Sequence, residues 1–412
     1  MKHNVSNLIF IVFLIFINNC DTTEPKDNTK QEGVQEHINW PSLSNSPWPM
    51  HHHDPQNTGR SCFNGPQQGI VDLHFDTNWL QCSVVMGSND EFYFAYSSQL
   101  FSYNINGDLQ WSLKFNENND EIFITPLVSE DGTIFVGLAQ SGIIYAVSSA
   151  GAIIWEFNTN ANLWQKTINI GLDGSLYFID SSSKLYCLNS SGQLIWSFTD
   201  ARFYSGSGSS ISFSNDGKTL YIPGINPSII SFNLDSREVS WTFGTELHKG
   251  APLVDSQGHI YFLSQEFNTN SFDAFLYSLN PDGTIRWAFK HNNPLSTELD
   301  WNSPTIDKSG NLYFAFDTLY SVDYNGNLRW KEELQGYNDC PLVCDQGGNV
   351  YVGLMDGQGM DISIQIKAFS NEGTLLWNFS DDTQFQVGGS PAIFDNHLIF
   401  PTWRSTKIFL FK

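Results

Sequence analysis

Apolar and polar residues alternate along most of the chain in short runs, and turns that contain glycine separate these runs. One pattern recurs: an apolar pair, a turn that ends in Gly, and a Trp four residues after that Gly. Its plainest copy is YSLNPDGTIRW at 277–287, and further copies lie at 101–111, 145–155, 186–196, 320–330 and 367–377, with a weaker one at 231–241. Two-residue alternation predicts half-buried strands, and Gly supplies the positive φ of a tight hairpin. The pattern therefore predicts an all-β chain built from hairpins.

Each repeat has the same internal order. A small residue begins the first strand, often before Pro, as at Thr125-Pro126 and Ser303-Pro304. A glycine turn follows, then a second strand with an aromatic residue, and the recurring pattern supplies the third and fourth strands. The seven Trp residues are 41 to 47 residues apart. A period in the forties with four short strands per unit predicts a β-propeller.

The two ends of the chain decide the number of blades. Residues 390–412 give three strands and then the chain stops, while GIVDLHF at 69–75 offers a fourth, with Leu73 in the place of the Trp. Closing the ring with strands from both ends removes the free sheet edges. We therefore predict a single propeller of eight four-stranded blades, with seven blades as the alternative.

The N-terminal region differs from the repeats. Residues 1–20 contain an apolar run, LIFIVFLIFI, that is too short to span a bilayer but suits an export signal. Cys20 directly follows this region, as in a bacterial lipoprotein signal, so we predict acylation of Cys20; plain secretion and an uncleaved anchor are the alternatives. The polar residues 21–47 are interpreted as a flexible tether and 48–412 as the propeller.

Charge and candidate ligands narrow the possible partners. The formal net charge is −23 with no basic stripe, which argues against nucleic acid as a partner. His51-His52-His53-Asp54 contains metal-ligand types, but adjacent side chains in a strand point to opposite faces, so we expect a structural role and no metal site. Cys62 and Cys82 could form a disulfide, although the odd number of remaining cysteines excludes a complete framework.

The repeats resemble the PQQ-like propeller repeat, which occurs in quinoprotein alcohol dehydrogenases and in the eight-bladed lipoprotein of the bacterial outer-membrane assembly machine. The resemblance covers about residues 48–412, including WPMHHHDPQNTGRS at 48–61 before the first blade. It implies that the repeating Trp residues are structural and dock each blade on its neighbour: Trp111, Trp155, Trp196, Trp241, Trp287, Trp330 and Trp377.

The enzymes of this family carry a pair of adjacent cysteines and a catalytic Asp beside a calcium ion held by Glu and Asn. This chain has no adjacent Cys pair and no acidic cluster that matches that site. No other catalytic motif occurs either. We therefore expect a non-enzymatic protein that uses neither PQQ nor calcium, with PQQ-dependent oxidation as a remote alternative.

Variable loops between the repeats are where binding is expected. They gather on the face that carries the links between blades and the turns between second and third strands. Two insertions, 264–275 and 355–365, are the largest departures from the repeat. The candidate binding residues on this face are Trp164, Lys166, Arg202, Tyr204, His248, Trp301, Tyr337, Trp403 and Arg404.

These patterns favour a lipid-anchored scaffold of the cell envelope, most simply at the outer membrane, that binds a protein partner through its loop-rich face. The alternative is a surface protein that binds or processes glycans with the same aromatic residues. The sequence leaves open the identity of the partner and the side of the membrane.

Overall fold

The computed structural model describes residues 32–412 except 77–79, 81, 116–119, 165–166, 205, 207–208, 225, 245–249, 269–270, 292–302, 337, 339, 359–360, 382–385, 388 and 404–406. All regular structure in this part of the chain is β-strand. None of these residues belongs to a helix long and apolar enough to cross a membrane. The predicted signal, Cys20 and the first part of the predicted tether lie outside the described residues.

A lone strand, β1 (Val71–Asp76), precedes seven sheets of four consecutive strands each. Blade 1 comprises β2 (Val85–Met86), β3 (Glu91–Tyr96), β4 (Gln99–Asn104) and β5 (Leu109–Lys114). Blade 2 comprises β6 (Leu127–Val128), β7 (Ile134–Gly137), β8 (Ile143–Val147) and β9 (Ile153–Asn158). Blade 3 comprises β10 (Asn169–Ile170), β11 (Leu176–Ile179), β12 (Lys184–Leu188) and β13 (Leu194–Thr199). Blade 4 comprises β14 (Ser212–Phe213), β15 (Thr219–Pro223), β16 (Ile229–Asn233) and β17 (Glu238–Phe243).

The next three blades have the same antiparallel order. Blade 5 comprises β18 (Leu253–Val254), β19 (Ile260–Asn268), β20 (Ser271–Leu279) and β21 (Ile285–Lys290). Blade 6 comprises β22 (Thr305–Ile306), β23 (Leu312–Ala315), β24 (Thr318–Val322) and β25 (Leu328–Glu333). Blade 7 comprises β26 (Val343–Cys344), β27 (Val350–Gln358), β28 (Asp361–Phe369) and β29 (Leu375–Asp381).

Blade 8 is built from both ends of the chain. Its inner position is shared by β30 (Gln386–Val387) and β31 (Ala392–Phe394), and both pair with β32 (His397–Trp403). β33 (Lys407–Phe411) follows, and β1 pairs with it as the outer strand. The eight-bladed ring with a split last blade is thereby confirmed, and the alternative of seven blades is wrong.

The register of β1 shows why this strand completes a blade. Leu73 lies opposite Leu410, with a shift in register between Val71 and Leu73. Trp111 of β5 has the same relation to its blade, since it lies opposite Ser102 and a register shift precedes it. Leu73 therefore occupies the position of the Trp, as the sequence predicts.

The repeating Trp residues lie in the seams between adjacent blades. In six of them the indole Nε1–H donates to a backbone carbonyl in a neighbouring turn, at 2.8 to 3.1 Å: Trp111 to Ser149, Trp155 to Ser190, Trp241 to Pro281, Trp287 to Tyr324, Trp330 to Asn371 and Trp377 to Pro66. In the seam of Trp196, the guanidinium carbon of Arg237 lies 5.4 Å from the centre of the Trp ring. One ring at one place in each repeat fills one kind of seam.

Up-and-down connection gives the ring two different faces. The upper face carries the links from each outer strand to the next inner strand and the turns between second and third strands. The lower face carries the turns between first and second strands and those between third and fourth strands. Apolar side chains of the second and third strands fill the space between blades, as when Leu263 and Leu276 pack beside Phe314.

Candidate functional site

An N-terminal arm, residues 33–46, lies along the lower face and contacts blades 1 to 6, reaching blade 4 where the Trp40 ring packs on Phe213. Gln35 N–H donates to the Lys308 carbonyl in blade 6 at 2.8 Å, and the Trp40 indole donates to the Ile170 carbonyl in blade 3 at 2.8 Å. The arm continues to blade 2, where Ser44 N–H donates to Val128 O, and to blade 1, where the Ser46 hydroxyl donates to Met86 O. Its contact with blade 5 is the bond from Ser256 N–H to the Gln35 side chain.

The folded domain therefore begins before residue 48, where the sequence placed its boundary. The expectation of a flexible tether over 21–47 is corrected for residues 33–46. Trp40 and Leu43 provide the physical reason, because both side chains are buried against blades 2 to 4. Their apolar surface offsets the conformational entropy lost when the arm becomes ordered.

An axial segment, residues 48–62, follows the arm and passes the innermost strand of every blade in turn. Its carbonyls accept hydrogen bonds from inner-strand N–H groups: Trp48 from Met86, Pro49 from Val128, Pro55 from Phe213, Gln56 from Val254, Thr58 from Ile306 and Gly59 from Cys344. The side chain of Asn169 connects blade 3 to Pro55, and the Ser61 hydroxyl donates to Ile393 in blade 8. An inner strand is a sheet edge that faces the axis, and the axial segment satisfies its polar groups.

The histidines of the axial segment take part in this packing. His51 Nδ1 lies 3.0 Å from Ser83 Oγ, and His52 Nε2 lies 2.8 Å from the Leu342 carbonyl. His53 Nδ1 lies 3.1 Å from the Asp54 carboxylate, which also accepts from Thr58. The structural role expected for these residues is therefore observed. Nowhere in the described ranges do three His, Cys, Asp or Glu side chains come together in a way that could hold a metal ion.

The upper face carries two β-ribbons. The sequence interpreted 264–275 and 355–365 as loops, and that interpretation is wrong: they continue β19 and β20 of blade 5, and β27 and β28 of blade 7. Each of these strands has nine residues, against four or five in blades 2, 3 and 6. The additional four or five residues extend each ribbon by about 15 Å.

The ribbon of blade 5 is held to the ring by its own side chains. Lys290 Nζ lies 2.9 Å from the Asp273 carboxylate and 5.5 Å from the centre of the Phe275 ring. The Tyr277 hydroxyl donates to Glu266 at 3.1 Å, while Phe272 packs against the core between blades 5 and 6. These contacts fix the orientation of the ribbon relative to the blade, which makes it a preformed surface.

Three of the nine candidate binding residues can be placed with their side chains. Trp164 packs edge-on against Phe123 with ring centres 5.4 Å apart. Arg202 Nε lies 2.9 Å from Asp200 Oδ1, and this bond keeps the pKa of Asp200 below its usual value. Tyr204 is half-buried, and its N–H donates to Pro223 O.

The other six candidates are not brought together by the described structure. Trp403 ends β32, and only its backbone is described. The remaining five lie outside the described residues: Lys166, His248, Trp301, Tyr337 and Arg404.

Sequence reasoning missed a polar cluster on the upper face between blades 5 and 6. His291 Nδ1 lies 2.7 Å from the Tyr320 hydroxyl, and its Nε2 lies 3.4 Å from Asp317 Oδ1. Burial lowers the pKa of His291, and the Asp317 carboxylate partly opposes that shift. His291 follows β21 directly, so its position at the end of an outer strand was the signal available in the sequence.

The residues of the ring do not fit the calcium and quinone that the enzyme branch of the family implies. The axis is filled by residues 48–62, and no cluster of three His, Cys, Asp or Glu side chains that could hold a metal ion is found among the described residues. Cys82, Cys187, Cys340 and Cys344 are buried thiols, and burial raises the pKa of Cys187 and Cys344, which disfavours thiolate chemistry. The alternative of a Cys62–Cys82 disulfide is not realised, because Cys82 Sγ is a thiol that bonds to the backbone of Ala95.

Comparisons with known proteins agree with this architecture. A family model described as "Outer membrane protein assembly factor BamB" matches residues 140–266. Comparison with curated protein sequences finds no match.

Solved structures extend the similarity over most of the ring. BamB from Moraxella catarrhalis is similar with a TM-score of 0.59 and 14% identity, covering 83% of this chain and 99% of that one. The quinohemoprotein alcohol dehydrogenase from Comamonas testosteroni gives a TM-score of 0.65 at 12% identity, covering 90% and 81%. The C-terminal WD40 domain of Sif2 gives 0.60 at 13%, covering 85% and 99%. The chain is therefore an eight-bladed β-propeller, and its residues 140–266 are similar to the repeats of the BamB family model.

Proposed function

We propose that the protein is a non-catalytic scaffold of the cell envelope, anchored through an acylated Cys20, that binds a protein partner with its upper face. One observation carries this proposal. The N-terminal arm covers the inner rim of the lower face, and the axial segment fills the centre of the ring. The upper face is therefore the broad surface left for a partner, and it carries the two ribbons.

The chemistry of the ribbons favours a protein partner. A two-stranded ribbon offers backbone N–H and C=O groups along its edges, which can pair with an extended segment of another chain. Glu266 is exposed on the ribbon of blade 5, and the whole chain is acidic, so a basic segment suits this surface best. Among the aromatic residues on which the glycan alternative rests, Trp164 is packed against Phe123, while Trp301 and Tyr337 lie outside the described residues.

The similarity to BamB supports the envelope as the location. The family model is described as an outer-membrane protein assembly factor, and the BamB structure is similar to 83% of this chain. We place the present protein in an envelope complex of comparable kind at the outer membrane. The enzyme alternative receives no support from the side chains that line the axis.

A pull-down from envelope membranes tests the proposal. Tagged protein should enrich one or two proteins over a tag-only control. Leu263 and Leu276 face each other in the hairpin, so residues 264–275 can be replaced by Asn-Gly to give a two-residue turn without the ribbon. This variant should lose the partner.

Charge reversal gives a milder test within one blade. Glu266→Arg on the upper face should reduce the recovered partner several-fold, while Asp282→Arg in the lower turn of the same blade should leave recovery unchanged. No enrichment by the unmodified protein would refute the proposal. Full recovery of the partner by both the shortened-ribbon variant and Glu266→Arg would show that the binding surface does not include the ribbon of blade 5.

The anchor is tested separately. Cys20→Ser should transfer the protein from the membrane fraction to the soluble fraction and leave its circular dichroism spectrum unchanged. Retention of the variant in membranes would show that Cys20 is not the anchor, whatever the pull-down reveals.

A further inference from the structure

The axial segment carries four polar side-chain atoms that are fully buried and have no hydrogen-bonding partner within the described structure. They are Trp48 Nε1, His52 Nδ1, Gln56 Nε2 and Asn57 Oδ1. Each residue is at most 1% exposed. Buried polar groups in native proteins are almost always satisfied, so four exceptions in one ten-residue stretch point to a ligand.

The neighbouring hydrogen bonds fix which of these atoms donate and which accept. His52 Nε2 faces the Leu342 carbonyl at 2.8 Å and must carry the hydrogen, so Nδ1 holds a lone pair. Asn57 Nδ2 donates to Ile211 O and to Ser212 Oγ, which leaves its Oδ1 as an acceptor. The indole of Trp48 and the amide nitrogen of Gln56 can only donate.

This mixture of donors and acceptors restricts the ligand. The two N–H donors, on Trp48 and Gln56, would repel a cation. The lone pairs of His52 Nδ1 and Asn57 Oδ1 would repel an anion. Burial also lowers the pKa of His52, which keeps the imidazole neutral and its Nδ1 unprotonated. A small neutral molecule that donates and accepts equally well satisfies all four atoms, and water is that molecule.

Space leads to the same conclusion. The axial segment is hydrogen-bonded to the inner strand of every blade, through its backbone in blades 1 to 7 and through the Ser61 hydroxyl in blade 8, so the chain itself occupies the axis. Gly59 packs against the His52 ring so closely that an added Cβ would lie 2.3 Å from Nε2. Because this chain occupies the axis, a multi-ring organic cofactor could not occupy the same place.

We propose that the axis of this propeller is a closed hydration site, in which ordered water molecules bind Trp48, His52, Gln56 and Asn57 and take the place of a cofactor. The inference concerns the axis alone and does not depend on the partner proposed for the upper face.

Oxygen-17 magnetic relaxation dispersion counts internal water molecules with long residence times and tests the proposal on the full chain carrying Cys20→Ser. Trp48→Phe removes the indole N–H, and His52→Phe removes both imidazole nitrogens, including the Nε2 that bonds to Leu342 O; each variant should reduce the dispersion amplitude by about one water molecule. His74→Phe, at an exposed position on β1, is the matched control and should not change it. If His52→Phe prevents folding, Trp48→Phe still decides the outcome.

Two results would overturn the proposal. One is a dispersion amplitude that Trp48→Phe leaves equal to that of the parent protein. The other is a stoichiometric metal ion or quinone found by elemental and mass analysis of the purified protein, together with loss of that group in Trp48→Phe.

Discussion

Gly326 provides a direct test of the seam between blades. It lies in the turn between β24 and β25, with a φ of +82°, directly beside the Trp of the preceding blade. A Cβ at this position would lie 2.6 Å from Cδ2 of Trp287. Gly174 has the same φ of +82°, but nothing lies within 4 Å of its Cβ position. The two substitutions Gly326→Ala and Gly174→Ala therefore share the backbone strain and differ in the contact with Trp287.

The structure sets the size of each effect. A left-handed backbone conformation costs an L-residue about 1–2 kcal/mol, so Gly174→Ala should lower the free energy of unfolding by that amount. Trp287 cannot easily move away, because its indole donates to Tyr324 O at 3.1 Å and its ring lies 5.8 Å from that of Tyr261. Forcing a methyl group against it adds roughly 1–3 kcal/mol. Gly326→Ala should therefore destabilise the ring by about 2–5 kcal/mol.

Thermal unfolding followed by circular dichroism measures the difference. For a cooperative unit of this size, 1 kcal/mol corresponds to a shift in Tm of roughly 1 °C. We expect a fall of about 1–2 °C for Gly174→Ala and a fall 1–3 °C larger for Gly326→Ala. Guanidinium midpoints should rank the variants in the same order. Equal shifts for the two variants would refute the view that the Trp ring holds the seam by packing on this Gly.

Three further predictions concern other parts of the ring. Burial lowers the pKa of His52 and His291, so these side chains take up protons near pH 6.5 in the unfolded chain and not in the folded protein. The free energy of unfolding should therefore fall as the pH drops below about 6.5. Denaturant midpoints that rise when the pH is lowered from 7.5 to 5.5 would contradict this. Trp40→Ala should release the arm, giving faster proteolytic cleavage within residues 33–46 while the ring stays intact; unchanged protection would contradict the docking. Trp330→Phe loses the hydrogen bond to Asn371 O and should lower the free energy of unfolding by about 0.5–1.5 kcal/mol, measured by urea denaturation; an unchanged midpoint would show that this bond contributes nothing.

The sequence predicted the ring because the repeat encodes it locally. Each turn Gly, each strand alternation and each Trp recurs at a fixed place, so even the irregular blade could be completed by aligning Leu73 with Trp111. The ribbons were misassigned for a local reason as well. Asn and Ser at the tip of the blade 5 ribbon and Gly and Asp at the tip of the blade 7 ribbon are turn formers, and this signal concealed pairs such as Ser264 with Phe275 that extend the hairpins.

The path of the N-terminal chain could not be predicted in the same way. The axial segment is held mainly by backbone carbonyls that bond to residues far away in sequence, as Thr58 O bonds to Ile306 and Gly59 O to Cys344. Backbone groups leave no side-chain signature, so a polar stretch with Pro and Gly resembles a linker. The buried Trp40 and Trp48 were the available indication, because aromatic residues are uncommon in flexible tethers.

The pairing of β1 with β33 also determines when the protein can become complete during its synthesis. Val71–Asp76 is made early and must wait for Lys407–Phe411, its partner strand in blade 8, before it can pair. Residues 48–62 also cannot complete their hydrogen bonds early, because their partners are distributed over blades that are made one after another. A chain interrupted at any point before blade 8 therefore lacks the closing pair and leaves part of its N-terminal region without a binding site. Completion of the fold thus requires that synthesis has passed the third strand of blade 8.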